Sequence, residues 1–472
     1  MKYILFLLSL MLSNVVLTQP SGSSILMEKF VTQYNDSEYE LIHSLFSDKL
    51  KESMTLVELQ GLFQGLKAGI GKIVGYEYVA TDSESFFHYK TTFEKSVLDV
   101  ALSSENQNEI SGFKVVPFDP ADFDRNVINQ LSDNSGLLSS QQLAILFELT
   151  KGFPNNTELA IGLIEKGQTK YYGLIIENDT VRTINNHKDV FEIGSISKVF
   201  TSTLMAQLVA EQQLKLDDKI NVYFDFPFMD NIELSFLQLS NHSSGLSRLP
   251  SNLDLNKVDP DNPYKDYDKK NLDEYLKTEL SLTDSLQGEY QYSNLGAGLL
   301  GYTLSRKMNT SYDQLLNNRI FDKYELNNTN SIRNEVTNRL VPGLNYKGEA
   351  TANWDLSILA GAGGILSTIE DLTKFTLAHF DLQNKPLQAT TASTLTVDDK
   401  LKIGLAWHLI KSESGRNWVW HNGGTGGYTS SLAMNKESKN AIIILSNVSA
   451  LGPKMGFIDK LCFELLEILE SK

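Results

Sequence analysis

One cysteine in 472 residues excludes an internal disulfide and a thiolate metal site, so stability has to come from packing. That cysteine, Cys462, falls within the apolar repeat of a C-terminal helix, where a buried and inert thiol is expected. Histidines are also few: His43, His88, His187, His242, His379, His408 and His421 are scattered, with no pair at the spacing of a helical or loop ligand set. Neither a metal nor another cofactor is expected. Basic residues number 42 against 58 acidic ones, a net charge of −16, which disfavours binding to a phosphate backbone or an anionic lipid surface. No nucleic-acid partner is expected. The chain contains no Gly-x-Ser-x-Gly, so the nucleophile elbow of an α/β-hydrolase is absent. The glycine clusters Gly361–Gly364 and Gly423–Gly427 lack the spacing of a nucleotide fingerprint and open no βαβ unit, which leaves close backbone packing as their reading.

Long apolar runs are missing too. Ile4 to Leu12 is too short to span a bilayer, and Ser9, Ser13 and Asn14 interrupt its extension to Leu17. With Lys2 ahead of it and small residues near Thr18, the segment 1–18 reads as a cleavable secretory signal, which implies a periplasmic or secreted protein with no membrane insertion after cleavage.

Apolar positions recur at helical spacing from Ser24 to Met54, and Thr55 with Glu58 forms a capping-box pair at the start of a helix over Leu56–Leu66. From Ile73 to Phe118 the pattern changes to short aromatic and β-branched runs, read as antiparallel strands. Residues 24–118 thus form a small α+β domain, whose element order resembles the cone-shaped domains of the nuclear-transport-factor type. The polar stretch 119–138 reads as a linker, and 139–472 as the main domain. There, Leu159–Glu165 and Tyr171–Ile176 are strands around a turn at Gly167, and strand character returns at Trp418–Trp420, Tyr428–Met434 and Ala441–Leu445 before a final helix. Strands from both ends of this domain are expected to pair around a helical insert, giving an antiparallel sheet flanked by helices.

Gly194-Ser195-Ile196-Ser197-Lys198 precedes a helix whose apolar residues cover most of its circumference, so the helix should be buried. Its first turn places a hydroxyl and an amine three residues apart, on one face. Serine becomes a nucleophile when a neighbouring base takes its proton, and lysine serves as that base when burial or nearby cations depress its pKa. Ser111-Gly112-Phe113-Lys114 also fits the string, but it lies in an apparent strand, where the two side chains face differently. Two triplets follow Ser195 and Lys198 in order: Tyr292-Ser293-Asn294, the sole Tyr-x-Asn of the chain, and His421-Asn422-Gly423, the sole His-x-Gly.

With these three motifs, and with Leu239–Leu246, Gly361–Thr368, Gly404–Trp407 and His421–Tyr428 in the same order, the sequence resembles the class C β-lactamase and D-Ala-D-Ala carboxypeptidase family over residues 159–472. The resemblance implies a β-lactamase/transpeptidase-like α/β (α+β) fold with a helical subdomain. It implies that Ser195 attacks a carbonyl while Lys198 and Tyr292 share the proton traffic, with the choice of base left open. Asn294, His421 and Gly423 would then bind substrate, and the backbone N–H groups of Ser195 and Gly424 would form an oxyanion hole. The substrate is expected to be a peptide or another small molecule. The third motif of β-lactamases of this class is Lys-Thr-Gly, and its replacement by His421-Asn422-Gly423 favours a peptidase or esterase. A histidine of ordinary pKa there would hold a substrate carboxylate less firmly as pH rises past 6.5. The competing reading is a penicillin-binding or scaffold protein that uses the same pocket without turnover.

Overall fold

Residues 21–471 are described by the computed structural model, apart from 83–84, 106–107, 119–124, 134–135, 284–286 and 453; the segment 1–18 read as a signal lies outside them. The chain divides into two compact units, 1–125 and 126–472.

The first unit begins with four helices, α1 (Ser21–Asp36), α2 (Tyr39–Ser44), α3 (Asp48–Ser53) and α4 (Leu56–Ile70). The helical periodicity over 24–54 is divided in three because Ser37 adopts φ +62° and Phe46 leaves the helix to bridge Ile110. Thr55 and Glu58 do form a capping box, and α4 ends where Gly71 turns to φ +85°. Four antiparallel strands follow in sequential order: β1 (Ile73–Thr81), β2 (Phe86–Phe93), β3 (Val97–Ser103) and β4 (Gly112–Pro117). Phe30, Tyr34, Phe63 and Phe113 pack edge to face or tilted between helices and sheet, joining the two layers.

The second unit contains β5 (Ile128–Gln130), β6 (Glu158–Glu165), β7 (Gln168–Glu177), β8 (Thr180–Ile184), β9 (Phe191–Glu192), β10 (Leu366–Ser367), β11 (Leu395–Thr396), β12 (Leu401–Ile403), β13 (His408–Lys411), β14 (Asn417–Gly424), β15 (Thr429–Asn435) and β16 (Asn440–Ser446). Ten of them form one sheet in the order β11-β12-β13-β14-β15-β16-β6-β7-β8-β5, while β9 and β10 pair separately. The two ends of the domain meet where β16 runs antiparallel to β6, with Ile443 opposite Gly162. β16 is buried on both faces: Ile442 and Ile444 pack under the Ser140–Thr150 and Gly456–Glu470 helices, and Ile443 and Leu445 join the larger core that holds the Ser197–Ala210 helix.

Two readings of the sequence need correction. The sheet is mixed, because β5 runs parallel to β8. That strand also lies inside the stretch read as a linker: Ile128–Gln130 is exposed in all three side chains and is held by backbone pairing, which leaves no apolar alternation in the sequence.

Candidate active site

The geometry of the site starts from a constrained turn. Gly194 adopts φ +50°, and a Cβ on it would come within 2.4 Å of the Gly424 nitrogen, so a side chain is excluded on both counts. On either side the chain is held fast. Ile193 donates from its backbone to the Ile365 carbonyl at 3.1 Å and accepts from Ser430 Oγ at 2.9 Å, while Ser197 Oγ accepts from the Ile365 amide at 3.0 Å. A short 3-10 turn, Gly194–Ile196, then leads into the Ser197–Ala210 helix, in which every residue from Ser197 to Leu208 is buried.

Ser195 is half-buried at the start of this segment, and Lys198 lies one turn on, 1% exposed. Lys198 Nζ donates to the Ala362 carbonyl at 2.7 Å and stands 2.8 Å from Ser195 Oγ. As an ammonium it donates to that oxygen; as a free amine it offers its lone pair along the same line. Burial, with the Arg248 charge adding to it, holds the Lys198 amine well below its ordinary range.

The second triplet is fixed by a helix N-terminus. Ser293 caps the Asn294–Met308 helix, with Oγ accepting from the Gly296 amide at 2.9 Å and donating to the Ser247 carbonyl at 2.7 Å. The amides of Asn294 and Leu295 donate to the Arg248 carbonyl at 3.0 and 3.1 Å. The Tyr292 ring thereby lies 4.9 Å from Lys198 Nζ, and its phenol interacts with the Ser195 side chain. Burial pushes the Tyr292 phenol above its ordinary value. His242, at φ +61°, accepts from the Ser293 amide at 3.2 Å and packs its ring 4.6 Å from that of Tyr292. It holds the turn ahead of Gly245 and packs against Tyr292.

The third triplet comes from β14. A Cβ on Gly423 would fall 2.0 Å from the Ile193 carbonyl and 2.9 Å from the Ser195 amide, so this strand approaches the Ser195 turn as closely as backbones allow. His421 donates from Nδ1 to the Asn422 carbonyl at 2.5 Å, which leaves the Nε2 lone pair buried without a partner. Its ring is 5.2 Å from that of His408 and 6.4 Å from that of Tyr292. Burial, reinforced by His408 and Lys198, holds its pKa well below the usual 6.5. This corrects the expectation of a histidine that titrates near neutrality, because a fully enclosed ring among basic neighbours stays uncharged.

All seven residues singled out in the sequence are thus brought together: Ser195, Lys198, Tyr292, Asn294, His421, Gly423 and Gly424. Ser195, Asn294 and Gly424 line a cavity of about 30 Å³ with Thr425, Tyr264 and Trp354, room for a water or two. Asn294 Oδ1 is buried and unpartnered. By contrast, Ser111 sits just before β4 in the other unit, so the second Ser-x-x-Lys string forms no such pair.

The sequence reading passed over three neighbours. His408 accepts or donates at 2.8 Å with the Tyr290 hydroxyl and carries a pKa lowered to about 4 by burial. Arg248 places its guanidinium 5.3 Å from the Tyr292 ring centre. Glu192, three residues before Ser195, accepts at Oε1 from Asn353 Nδ2 at 2.8 Å and from the Trp354 amide at 3.0 Å. A carboxylate inside the apolar run before Ser195 was the one available signal; neither His408 nor Arg248 belongs to a motif.

Comparison with known proteins agrees with this geometry. The protein of unknown function family DUF3887 matches residues 27–113. A Dictyostelium discoideum protein named beta-lactamase-like protein 2 is 26% identical over 291 residues, 57% of this chain, and the match spans about half (51%) of that protein's length. A Pseudomonas fluorescens beta-lactamase is 25% identical over 258 residues, covering 53% of this chain and 69% of the relative. The crystal structure of a beta-lactamase/D-alanine carboxypeptidase from Pseudomonas syringae shares the fold, with a TM-score of 0.56 at 23% identity over 69% of this chain and 97% of the other. The beta-lactamase family profile itself matches residues 153–460, more than half of the chain, and with the Ser195–Lys198 turn, the Tyr292 triplet and the β14 edge converging inside that span, the chain belongs to the serine beta-lactamase and penicillin-binding-protein-like family.

Proposed function

We propose that this chain is an exported serine hydrolase that opens amide or ester bonds through an acyl-enzyme on Ser195. The observation that carries the reading is the 2.8 Å contact between Ser195 Oγ and a Lys198 amine that burial keeps poised to be neutral. In this scheme Lys198 takes the Oγ proton as Ser195 adds to the substrate carbonyl, and the N–H groups of Ser195 and Gly424 receive the oxyanion. Tyr292, whose burial keeps its proton on, passes a proton to the leaving group and is refilled from Lys198. Water then attacks the ester, and Ser195 recovers its proton by the reverse route. Asn294, with its unpartnered Oδ1, binds an amide N–H of the substrate. Gly423 lets the β14 edge come close enough to bind substrate backbone, and neutral His421 backs Tyr292.

A histidine in place of the lysine of the third motif favours small esters and D-amino-acid peptides over β-lactams as substrates. Intact-mass spectrometry after exposure to a fluorophosphonate and to a penicillin tests the reading. A single adduct on Ser195, lost in Ser195→Ala, is expected; an adduct elsewhere, or none with either reagent, overturns it.

A further inference from the structure

Tyr292 is surrounded by basic groups. Lys198 Nζ and the Arg248 guanidinium lie 4.9 and 5.3 Å from its ring centre, the His242 and His421 rings lie 4.6 and 6.4 Å away, and His408 stands behind His421. Tyr290 hydrogen-bonds His408, but the charges that act on Lys198, His242, His408 and His421 all come from other members of this basic set and none from a carboxylate. An acid-free cluster of this kind is unexpected in a chain of net charge −16.

Within it, Arg248 differs from the rest. The histidines and Lys198 are buried, whereas Arg248 is exposed and carries a permanent charge. Arg182, Arg306, Arg319, Arg333 and Arg416 each pair with a carboxylate at 2.7–2.9 Å, Arg339 donates to Asn328, and among the described residues Arg248 has no such ion pair. Its backbone is fixed at the site, because its own carbonyl accepts the first two amides of the helix that begins at Asn294. An exposed guanidinium with no ion pair, 5.3 Å from the ring centre of Tyr292 beside Lys198, is open to an anion supplied from outside.

We propose that Arg248 determines specificity at this site by binding an anionic group, a carboxylate, on the substrate. The inference rests on the acyl-enzyme reading of Ser195 and adds to it the charge of the substrate and the residue that reads it. A planar carboxylate matches the guanidinium fork with two parallel hydrogen bonds, and elsewhere the protein's negative surface repels such a group. His421, enclosed and uncharged, supplies no competing cation.

The test compares kcat/KM for two pairs of substrates that differ in one charge: a 4-nitrophenyl hemisuccinate against the butyrate, and a peptide ending in D-alanine against its C-terminal amide. In the native protein at least one charged member is expected to be favoured by about tenfold, with the preference shrinking as salt is raised. Arg248→Gln should bring that ratio close to one, and Arg248→Lys should keep part of it, since the charge remains while the fork is lost. A ratio unchanged in Arg248→Gln overturns the inference, as does a native protein that turns over the neutral members with no charge preference. Should Arg248→Gln fail to fold, the salt dependence of the native ratio and the Lys variant decide instead. Failure of the acyl-enzyme reading is distinguishable, because then no pair is hydrolysed and Ser195 takes no fluorophosphonate label.

Discussion

Glu192 accepts a hydrogen bond from the backbone amide of Trp354, which lies 162 residues further along the chain. The same carboxylate takes Asn353, and Asn353 also donates to the Tyr428 hydroxyl. One buried acid thereby joins the strand leading into Ser195 to the wall of the cavity.

Burial raises the Glu192 pKa to about 7, against 4.5 for an exposed glutamate. The folded state therefore binds a proton that the unfolded state has released, and this contribution to stability is full below pH 4.5 and lost as pH rises through 7. Glu192→Gln, which keeps the acceptor, should remove this slope, at most about 1.4 kcal/mol per pH unit. Urea melts of both proteins between pH 5 and 7.5 measure it; parallel curves would show that Glu192 is ionised throughout.

Four buried histidines act with the opposite sign. His379 and His408 are lowered to about 4, and His242 and His421 are lowered well below 6.5, mainly by burial. The unfolded chain takes up these protons first, so stability is full above 6.5 and falls as pH drops toward 4. Melting temperature should decline on acidification below about pH 6.5, and His379→Gln, remote from Ser195, should blunt the decline. Proton uptake on unfolding at pH 5.5, read by calorimetry in buffers of different ionisation enthalpy, gives the count directly.

Lys198→Met should reduce acylation of Ser195 by about a thousandfold or more, because a thioether of similar length accepts no proton. Burying an amine is costly, so the variant should melt at or above the temperature of the native protein. A lower and less cooperative transition would show that Lys198 acts as a structural tie to Ala362.

A chain starting at Asn126 should fold and retain hydrolysis of a small ester, whereas one starting at Ser139 should be several degrees less stable. The second cut removes β5 from the edge of β8 and deletes Leu138, which is buried. Equal melting temperatures would show that β5 adds nothing to the sheet.

What the sequence disclosed followed from how local each feature is. Ser195 and Lys198 were legible because one helical turn fixes their relation, and the Ser111 string was separable because Phe113 and Val115 alternate as a strand does. The central place of β16 was legible because Ile442–Leu445 is apolar throughout and must be covered on both sides, whereas β6 as its partner was not. The charge of His421 was not, since it depends on His408 arriving from β13 and on enclosure that no local pattern encodes. Ile128–Gln130 gave no signal because only its backbone takes part in the sheet. Arg248 belongs to no motif, and its place beside Tyr292 is set by a fold that no local pattern encodes.

The pairing of β16 with β6 also sets the order of events during synthesis. Asn447 Oδ1 takes the amide of Glu158 across 289 residues, and Ser430 reaches back to Ile193 across 237. Contacts of such separation form only when nearly the whole chain has left the ribosome. A growing polypeptide that already displays Ser195 and Lys198 still lacks the strand that supplies Gly424. On the acyl-enzyme reading proposed above, Ser195 therefore stays without its second oxyanion donor throughout translation and gains it only when the last strands fall into place.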